Sequence, residues 1–218
     1  MSSALYIAAK APVPGQVKTR LAAAIGDTAA TELYVAFLRD LGRRFPHATW
    51  FVAQAGASPH VTDCYMGQPS ARILAQPDGD WTERQRALFR GAAKRGEERV
   101  VLIASDSPQL STEIVDEAFD LLDEHELVLG PTLDGGYYLI GMHGWHDVLA
   151  DVTMSTYTVC GEIARNARAR GLGVATVEPT YDVDEVEDLE LLERDAAVRD
   201  DLSETRSVLS AIRAEAVA

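Results

Sequence analysis

Short apolar runs of strand length recur along the chain: ALYIAA at 4–9, ATWFVAQ at 48–54, ARILAQ at 71–76, RVVLIAS at 99–105, ELVLG at 126–130 and LGVATVE at 172–178. Between them, residues 27–44, 82–95, 111–124 and 157–170 carry apolar positions at helical spacing. This alternation predicts an α/β sandwich on a mostly parallel sheet. A further run, GGYYLIGM at 135–142, follows LGPTLD too closely for a helical crossover and predicts a hairpin-like, mixed-sheet strand. The C-terminal segment, including DEVEDLELLERDAAV, reads as charged helix with Leu189, Leu192 and Val198 on one face. No repeat or low-complexity linker divides the chain, so residues 1–218 read as a single domain. In such sheets the functional loops lie beyond the carboxyl ends of the parallel strands.

Composition narrows the classes of partner. The 218 residues suffice for one core, which buries roughly 70–75% of the unfolded chain's surface. With 34 Asp and Glu against 20 Lys and Arg, a net charge of −14 disfavours nucleic acid and anionic membrane surfaces. Cys64 and Cys160 lie far apart, with no CxxC spacing, so neither a zinc site nor a disulfide framework is expected. The apolar run at 3–9 is too short to span a bilayer, and no basic region plus apolar segment ahead of a cleavage site is present. A cytoplasmic protein is the expectation.

Against that acidic background, the stretch AAKAPVPGQVKTRL from Ala8 to Leu21 stands out for its cations Lys10, Lys18 and Arg20. Pro12, Pro14 and Gly15 halt the strand and leave a loop that returns Lys18 and Arg20 toward the strand end. Arginine there offers phosphate a bidentate fork and lysine a point charge. An ordinary loop with solvated cations is the competing account, and neither GxxxxGK[ST] nor GxGxxG occurs.

Carboxylates stand at two other strand ends. In IASDSPQL, Asp106 follows Ser105 directly after an apolar strand, and Pro108 blocks continuation of the ladder. A carboxylate exposed there suits Mg²⁺, which takes one or two carboxylates together with substrate phosphate oxygens. Ser111 already supplies the cap of the following helix, and replacing Asp106 by Asn is expected to leave stability near that of the parent. In YDVDEVEDL, Asp182 or Asp184 completes the metal site, while capping of a helix near Val186 is the alternative for Asp184. Within GPTLDGGYYLIG, the paired glycines Gly135 and Gly136 permit close backbone approach, and Asp134 and Tyr137 add a carboxylate and an aromatic face. That segment reads as a substrate-binding wall, with a plain Asp-Gly β-turn as its rival.

With these segments in order, the chain resembles the DUF2064 family, glycosyltransferase-like proteins associated in some genomes with radical-SAM and arsenosugar pathways. The likeness runs from AKAPVPGQVKTRL through QPDGDWTERQRALFRGA and IASDSPQL to GPTLDGGYYLIGM and DVDEVEDL. The family is similar to the nucleotide-diphospho-sugar transferase (GT-A) superfamily, which includes molybdenum-cofactor and phospholactate nucleotidyltransferases. The resemblance implies a GT-A three-layer α/β/α sandwich. It implies that Ala8, Lys10, Gly15, Lys18, Arg20 and Ser105 bind the nucleotide and that Asp134, Gly135, Gly136 and Tyr137 face the acceptor. Asp106, Asp182 and Asp184 would hold Mg²⁺ or Mn²⁺, with Asp106 and Asp184 as the catalytic pair. Glu83 and Arg84 match an "ER" in the family pattern to which no role attaches. Met154-Ser155-Thr156 replaces the family's Trp-Ser-Thr, and Glu185 stands where the family reads DVDT, departures that bear on the acceptor side.

The expected function is therefore metal-dependent glycosyl transfer from a nucleotide-diphosphate sugar to a small acceptor. The second expectation is nucleotidyl transfer, in which a nucleoside triphosphate meets a phosphorylated small molecule and pyrophosphate departs. A non-catalytic nucleotide-binding protein is the third, and it has little use for two carboxylate positions suited to a hard metal.

Overall fold

In the computed structural model the described residues are 2–54, 72–154 and 156–217. Cys64 and Ser155 lie outside them. Seven strands form one sheet: β1 (Ser3–Lys10), β2 (Thr49–Ala53), β3 (Arg72–Ala75), β4 (Arg99–Ala104), β5 (Leu127–Pro131), β6 (Tyr137–His143) and β7 (Val174–Thr176). Their order is β3-β2-β1-β4-β6-β5-β7, with β6 antiparallel to both neighbours and the other pairings parallel. The mixed-sheet strand expected at 135–142 is thus β6, joined to β5 by a tight turn that starts at a register shift between Gly130 and Pro131.

Residues within each strand alternate between two cores because successive side chains point to opposite faces. Ile7, Val52, Val101, Ile103 and Val128 face one layer of helices, α2 (Asp27–Arg44), α4 (Thr112–Leu121), α6 (Leu189–Val198) and α7 (Ser203–Val217) among them. Tyr6, Phe51, Leu102, Leu129 and Ile140 face α3 (Trp81–Lys94) and α5 (Val159–Ala169) on the other. With apolar groups on both faces, each large side chain buried in the central strands contributes about 1.5–3 kcal/mol, whereas the edge strands β3 and β7 stay largely open. The three-layer α/β/α arrangement follows.

Helix starts are set by local chemistry. Asp80 and Glu83 form a capping box at the start of α3, the Asp80 carboxylate accepting from Glu83 N at 2.9 Å and Glu83 accepting from Asp80 N at 3.1 Å. Ser111 caps α4, as expected. The chain also forms α1 (Thr19–Ile25), which the proline and glycine punctuation concealed, ending at Gly26 with φ +85°. The C-terminal segment is two helices, not one. It breaks at Arg199, so Leu189 and Leu192 are buried while Val198 is 81% exposed. The first turn of α7 is capped from outside: the fully buried Asp40 of α2 accepts from Glu204 N and Thr205 N at 3.2 and 2.9 Å.

Candidate active site

The carboxyl ends of β1 and β4 lie side by side, Ala8 opposite Ala104, and Ser105 N donates to Ala8 O at 3.1 Å. Above them opens a cleft of about 570 Å³ lined by the loops after β1 and β4, the β5–β6 turn and the segment after β7. Sequence-distant charges meet there. Lys18, the residue before α1, has left-handed backbone (φ 47°, ψ 42°), which turns its side chain inward. Its side chain is 3% exposed, and its ammonium contacts Asp106 Oδ1, donates to Asp184 Oδ1 at 3.2 Å and to Val183 O at 2.7 Å. Phe37 lies under it, with the ring centroid at 5.9 Å. Burial alone would lower the Lys18 pKa; the charges of Asp106 and Asp184 outweigh it and hold the pKa above its ordinary value.

The structure corrects the expected role of Lys18 in one respect. An ammonium has three donors, and here three acceptors of the protein's own already face it, so in this state it organises two carboxylates and does not reach an open phosphate position. Arg20 does face the cleft. Its side chain is 72% exposed, Glu185 Oε1 is 3.7 Å away, and its charge reaches Asp134. Lys10 is exposed on the same cleft, and its ammonium has no partner among the described residues. Gly15 stands outside the cleft lining, on the turn of the preceding loop with φ +74°. Ala8 lies in the cleft floor, and the buried Ser105 hydroxyl meets the Tyr34 hydroxyl at 3.0 Å.

The acidic residues separate into two kinds. Asp106 and Asp184 side chains are 44% and 50% exposed toward the cleft. Asp182 is instead tucked behind them and accepts a hydrogen bond from Ser107 Oγ; burial, with the neighbouring Asp106 charge, pushes its carboxyl up to about 6 despite that bond. The three-carboxylate metal set expected from sequence therefore does not form: among the described residues no three His, Cys, Asp or Glu side chains converge on one point. Nor does Asp184 cap a helix, since Glu185 precedes the 186–188 turn and Asp188 accepts from both Asp184 N and Glu185 N at 2.8 Å. The loop carrying Asp106 is fastened from below. Arg44, 4% exposed, donates to Pro108 O and Leu110 O at 2.6 and 2.8 Å while its Nε bonds Asp201 at 2.6 Å.

Across the cleft, the β5–β6 turn is a plain Asp-Gly turn and a wall at once. Asp134 Oδ1 accepts from Thr132 Oγ1 at 2.5 Å and Gly136 N at 3.0 Å; with the charge of Arg20 these bonds hold its carboxyl below the usual range. Gly135 has φ +90°, and a Cβ there would fall 1.9 Å from Tyr157 O, so only glycine allows this contact with the start of α5. Tyr137 exchanges hydrogen bonds with Gln85 at 2.7 and 2.9 Å, and burial raises its pKa. Met154 lies beside its hydroxyl at 3.7 Å.

Sequence reasoning left Glu83 and Arg84 without roles. Glu83 is half of the α3 capping box, a pattern readable as Asp80-x-x-Glu83. Arg84, one residue on, enters the cleft wall and donates from Nη1 to Gln76 Oε1 at 3.3 Å. The capping box was the available signal, because it fixes where α3 starts and hence which way Arg84 points.

The relatives of this chain put it in the class of nucleotidyl and nucleotide-diphospho-sugar transferases. Within it, the chain belongs to the family described as "Uncharacterized protein conserved in bacteria (DUF2064)", which matches residues 37–156. The chain is 32% identical to a 3-phospho-D-glycerate guanylyltransferase of Phenylobacterium zucineum (strain HLK1), over 78% of this chain and 81% of that protein. A "putative nucleotide-diphospho-sugar transferase" from Desulfovibrio desulfuricans G20 has a similar solved structure, with a TM-score of 0.86, 29% identity and 98% of each chain covered. A cytidylyltransferase from Leptospira borgpetersenii serovar Hardjo-bovis (strain JB197) shares the fold, with a TM-score of 0.58 and 12% identity over 100% of this chain and 96% of that one. Among the described residues no helix is long and apolar enough to cross a membrane.

Proposed function

We propose that the chain is a nucleotidyltransferase, joining the nucleoside monophosphate part of a nucleoside triphosphate to a phosphorylated small acid and releasing pyrophosphate. The observation that carries this reading is the seating of Lys18 between Asp106 and Asp184 at the floor of a cleft that Lys10 and Arg20 also face. An acidic pair under positive control, ringed by cations, suits the phosphate chain of a nucleotide, which a nucleoside triphosphate and a nucleotide-diphosphate sugar both carry. The guanylyltransferase relative, whose named substrate is a phosphorylated acid, favours nucleotidyl over glycosyl transfer.

In the reaction, a phosphate oxygen of the acceptor attacks the α-phosphorus. The α-phosphorus bond to the bridging oxygen breaks, and the electron pair leaves on pyrophosphate. Arg20 and Lys10 are placed to bind the phosphate chain and to neutralise charge on the departing pyrophosphate. Lys18 fixes Asp106 and Asp184 in position and moderates their repulsion toward the incoming anion. No side chain acts as a nucleophile. Asp106 and Asp184 present exposed, hard oxygen donors of the kind that Mg²⁺ or Mn²⁺ takes alongside phosphate oxygens, and they are the residues that would hold it. When bound, such a cation adds positive charge against the phosphate oxygens. The half-buried Asp182, held by Ser107, supports the loop behind them.

The test offers each nucleoside triphosphate with 3-phospho-D-glycerate and related phosphorylated acids, and follows pyrophosphate and product mass. Pyrophosphate with a nucleotidylated acid is expected. Nucleoside diphosphate released from a nucleotide sugar, without pyrophosphate in any triphosphate reaction, would return the assignment to glycosyl transfer.

A further inference from the structure

The wall formed by the ends of β1, β2 and β3 and the start of α3 contains Lys10, Gln76 and Arg84, and among the described residues none that lines the cleft on this wall carries a carboxylate. Among the described residues the cleft-lining aspartates, Asp106, Asp134, Asp182 and Asp184, stand on the β4–β6–β7 side. The cleft is therefore polarised: one wall carries cations alone, and the other gathers the aspartates with Lys18 and Arg20 among them.

Arg84 differs from many arginines of this protein, which sit on carboxylates: Arg44 on Asp201, Arg86 on Asp147, Arg99 on Asp123, Arg213 on Glu193. Others lie elsewhere, Arg90 over the Trp145 ring and Arg170 on Asn166 O. In a chain of net charge −14 carboxylate partners are plentiful. Arg84 has none among the described residues; its one hydrogen bond is the 3.3 Å contact to Gln76 Oε1, and its Nε is buried with no acceptor. A buried donor on a charged group left without a partner is costly and calls for an explanation. Gln76 is itself committed, its Nε2 donating to Phe51 O at 2.8 Å and Ala9 O at 3.4 Å, which leaves its Oε1 turned to Arg84. The capping box fixes the helix turn from which Arg84 projects. The guanidinium is thus held in place by neutral groups and keeps its full charge toward the cleft.

We propose that Arg84, oriented by Gln76 and assisted by Lys10, forms a phosphoryl-binding subsite on the wall opposite Asp106 and Asp184. The inference rests on the reading of the cleft as a phosphoryl-transfer site and adds a specific recognition residue to it. The phosphoryl group comes from either the nucleotide or the phosphorylated acceptor, and binding measurements separate the two sources.

The experiment is calorimetric titration of the whole chain, with and without Mg²⁺, using inorganic pyrophosphate, GTP and 3-phospho-D-glycerate as probes. Wild type binds at least one of them; Arg84→Met weakens that binding about ten- to a hundred-fold, the range for losing a charge-assisted fork. Arg84→Lys falls between, because charge remains and the fork is lost. Weakening confined to GTP and pyrophosphate assigns the subsite to the nucleotide's phosphates, and weakening confined to 3-phospho-D-glycerate assigns it to the acceptor. Wild-type affinity for all three probes in a folded Arg84→Met overturns the proposal, as does failure of wild type to bind any. Should Arg84→Met not fold, unchanged affinity in Arg84→Lys overturns it equally. Binding is read without turnover, so pyrophosphate release in wild type with unchanged binding in the variants sinks the subsite alone. Arg84-dependent binding without nucleotidyl transfer sinks the reaction alone.

Discussion

Lys18 and Asp106 form an ion pair in which one partner is almost wholly buried and the other is open to the cleft. Among the described residues the lysine's other partners are Asp184 and one carbonyl, so the pair couples the loop after β1 to the loop after β4. Removing either partner leaves the other in an unfavourable field.

Asp106→Asn is accordingly expected to lower stability by about 1–2 kcal/mol, below the full figure for breaking a buried pair because Asp106 is partly solvated and Asp184 remains. This revises the expectation of unchanged stability that the sequence gives for an exposed strand-end carboxylate. Lys18→Met is expected to cost a similar amount, and the double variant less than the sum, with a coupling of about 1 kcal/mol in urea unfolding. Strict additivity would show that the pair contributes nothing.

Arg20→Lys is expected to weaken nucleotide binding several-fold with no change in melting temperature. The side chain is 72% exposed and faces the cleft, so little packing is lost while the planar fork disappears. Calorimetry with GTP checks it, and equal affinities would mark Arg20 as a solvated surface residue.

Gly135→Ala is expected to destabilise by at least about 2 kcal/mol, since the new Cβ meets the Tyr157 carbonyl and the backbone at φ +90° is strained for alanine. The turn must shift away from the start of α5, where Cys160 N now donates to Gly135 O at 3.3 Å. A melting curve reads the loss, and an unchanged midpoint would mean that the wall is plastic.

Asp201 provides a pH signature. Hydrogen bonding from Arg199, and the charges of Arg44 and Arg199, lower its carboxyl to about 2. A depressed folded pKa means that its contribution is fully present above the ordinary value near 4 and fades as pH falls toward 2. The side chain is 44% exposed, so the contribution is set at about 1 kcal/mol after screening. Asp201→Asn should therefore unfold at lower urea concentration than wild type at pH 7, and the gap should narrow at pH 3. A gap independent of pH would assign the effect to packing around Arg44.

The seven strands were legible because each is an apolar run bounded by turn residues, and burial on both faces of a central sheet leaves few other uses for such runs. The hairpin position of β6 was legible from the shortness of its connection. Pro108 after Asp106 likewise marked a strand end, since proline cannot continue the ladder. Local rules failed where the chain is punctuated by proline and glycine yet resumes helix at once, as at α1, and where one charged C-terminal pattern hides a break at Arg199.

What the sequence by itself determined is the seven strands, the helices α2 to α5, a helical C-terminal segment and the four loops that carry charge, because periodicity and chain stiffness act over a few residues. Which of those charges meet was decided by the tertiary structure. The sheet order sets the loops after β1 and β4 side by side, and the segment after β7, at the sheet edge, runs back past Pro131 to Asp106, where Val183 N donates to Asp106 O at 2.9 Å. Lys18 therefore serves Asp106 and Asp184 instead of an open phosphate position, Asp182 turns back to Ser107, and Arg84 arrives in the cleft from α3. Coulomb energy depends on distance and on exclusion of water, and neither is written in sequence separation.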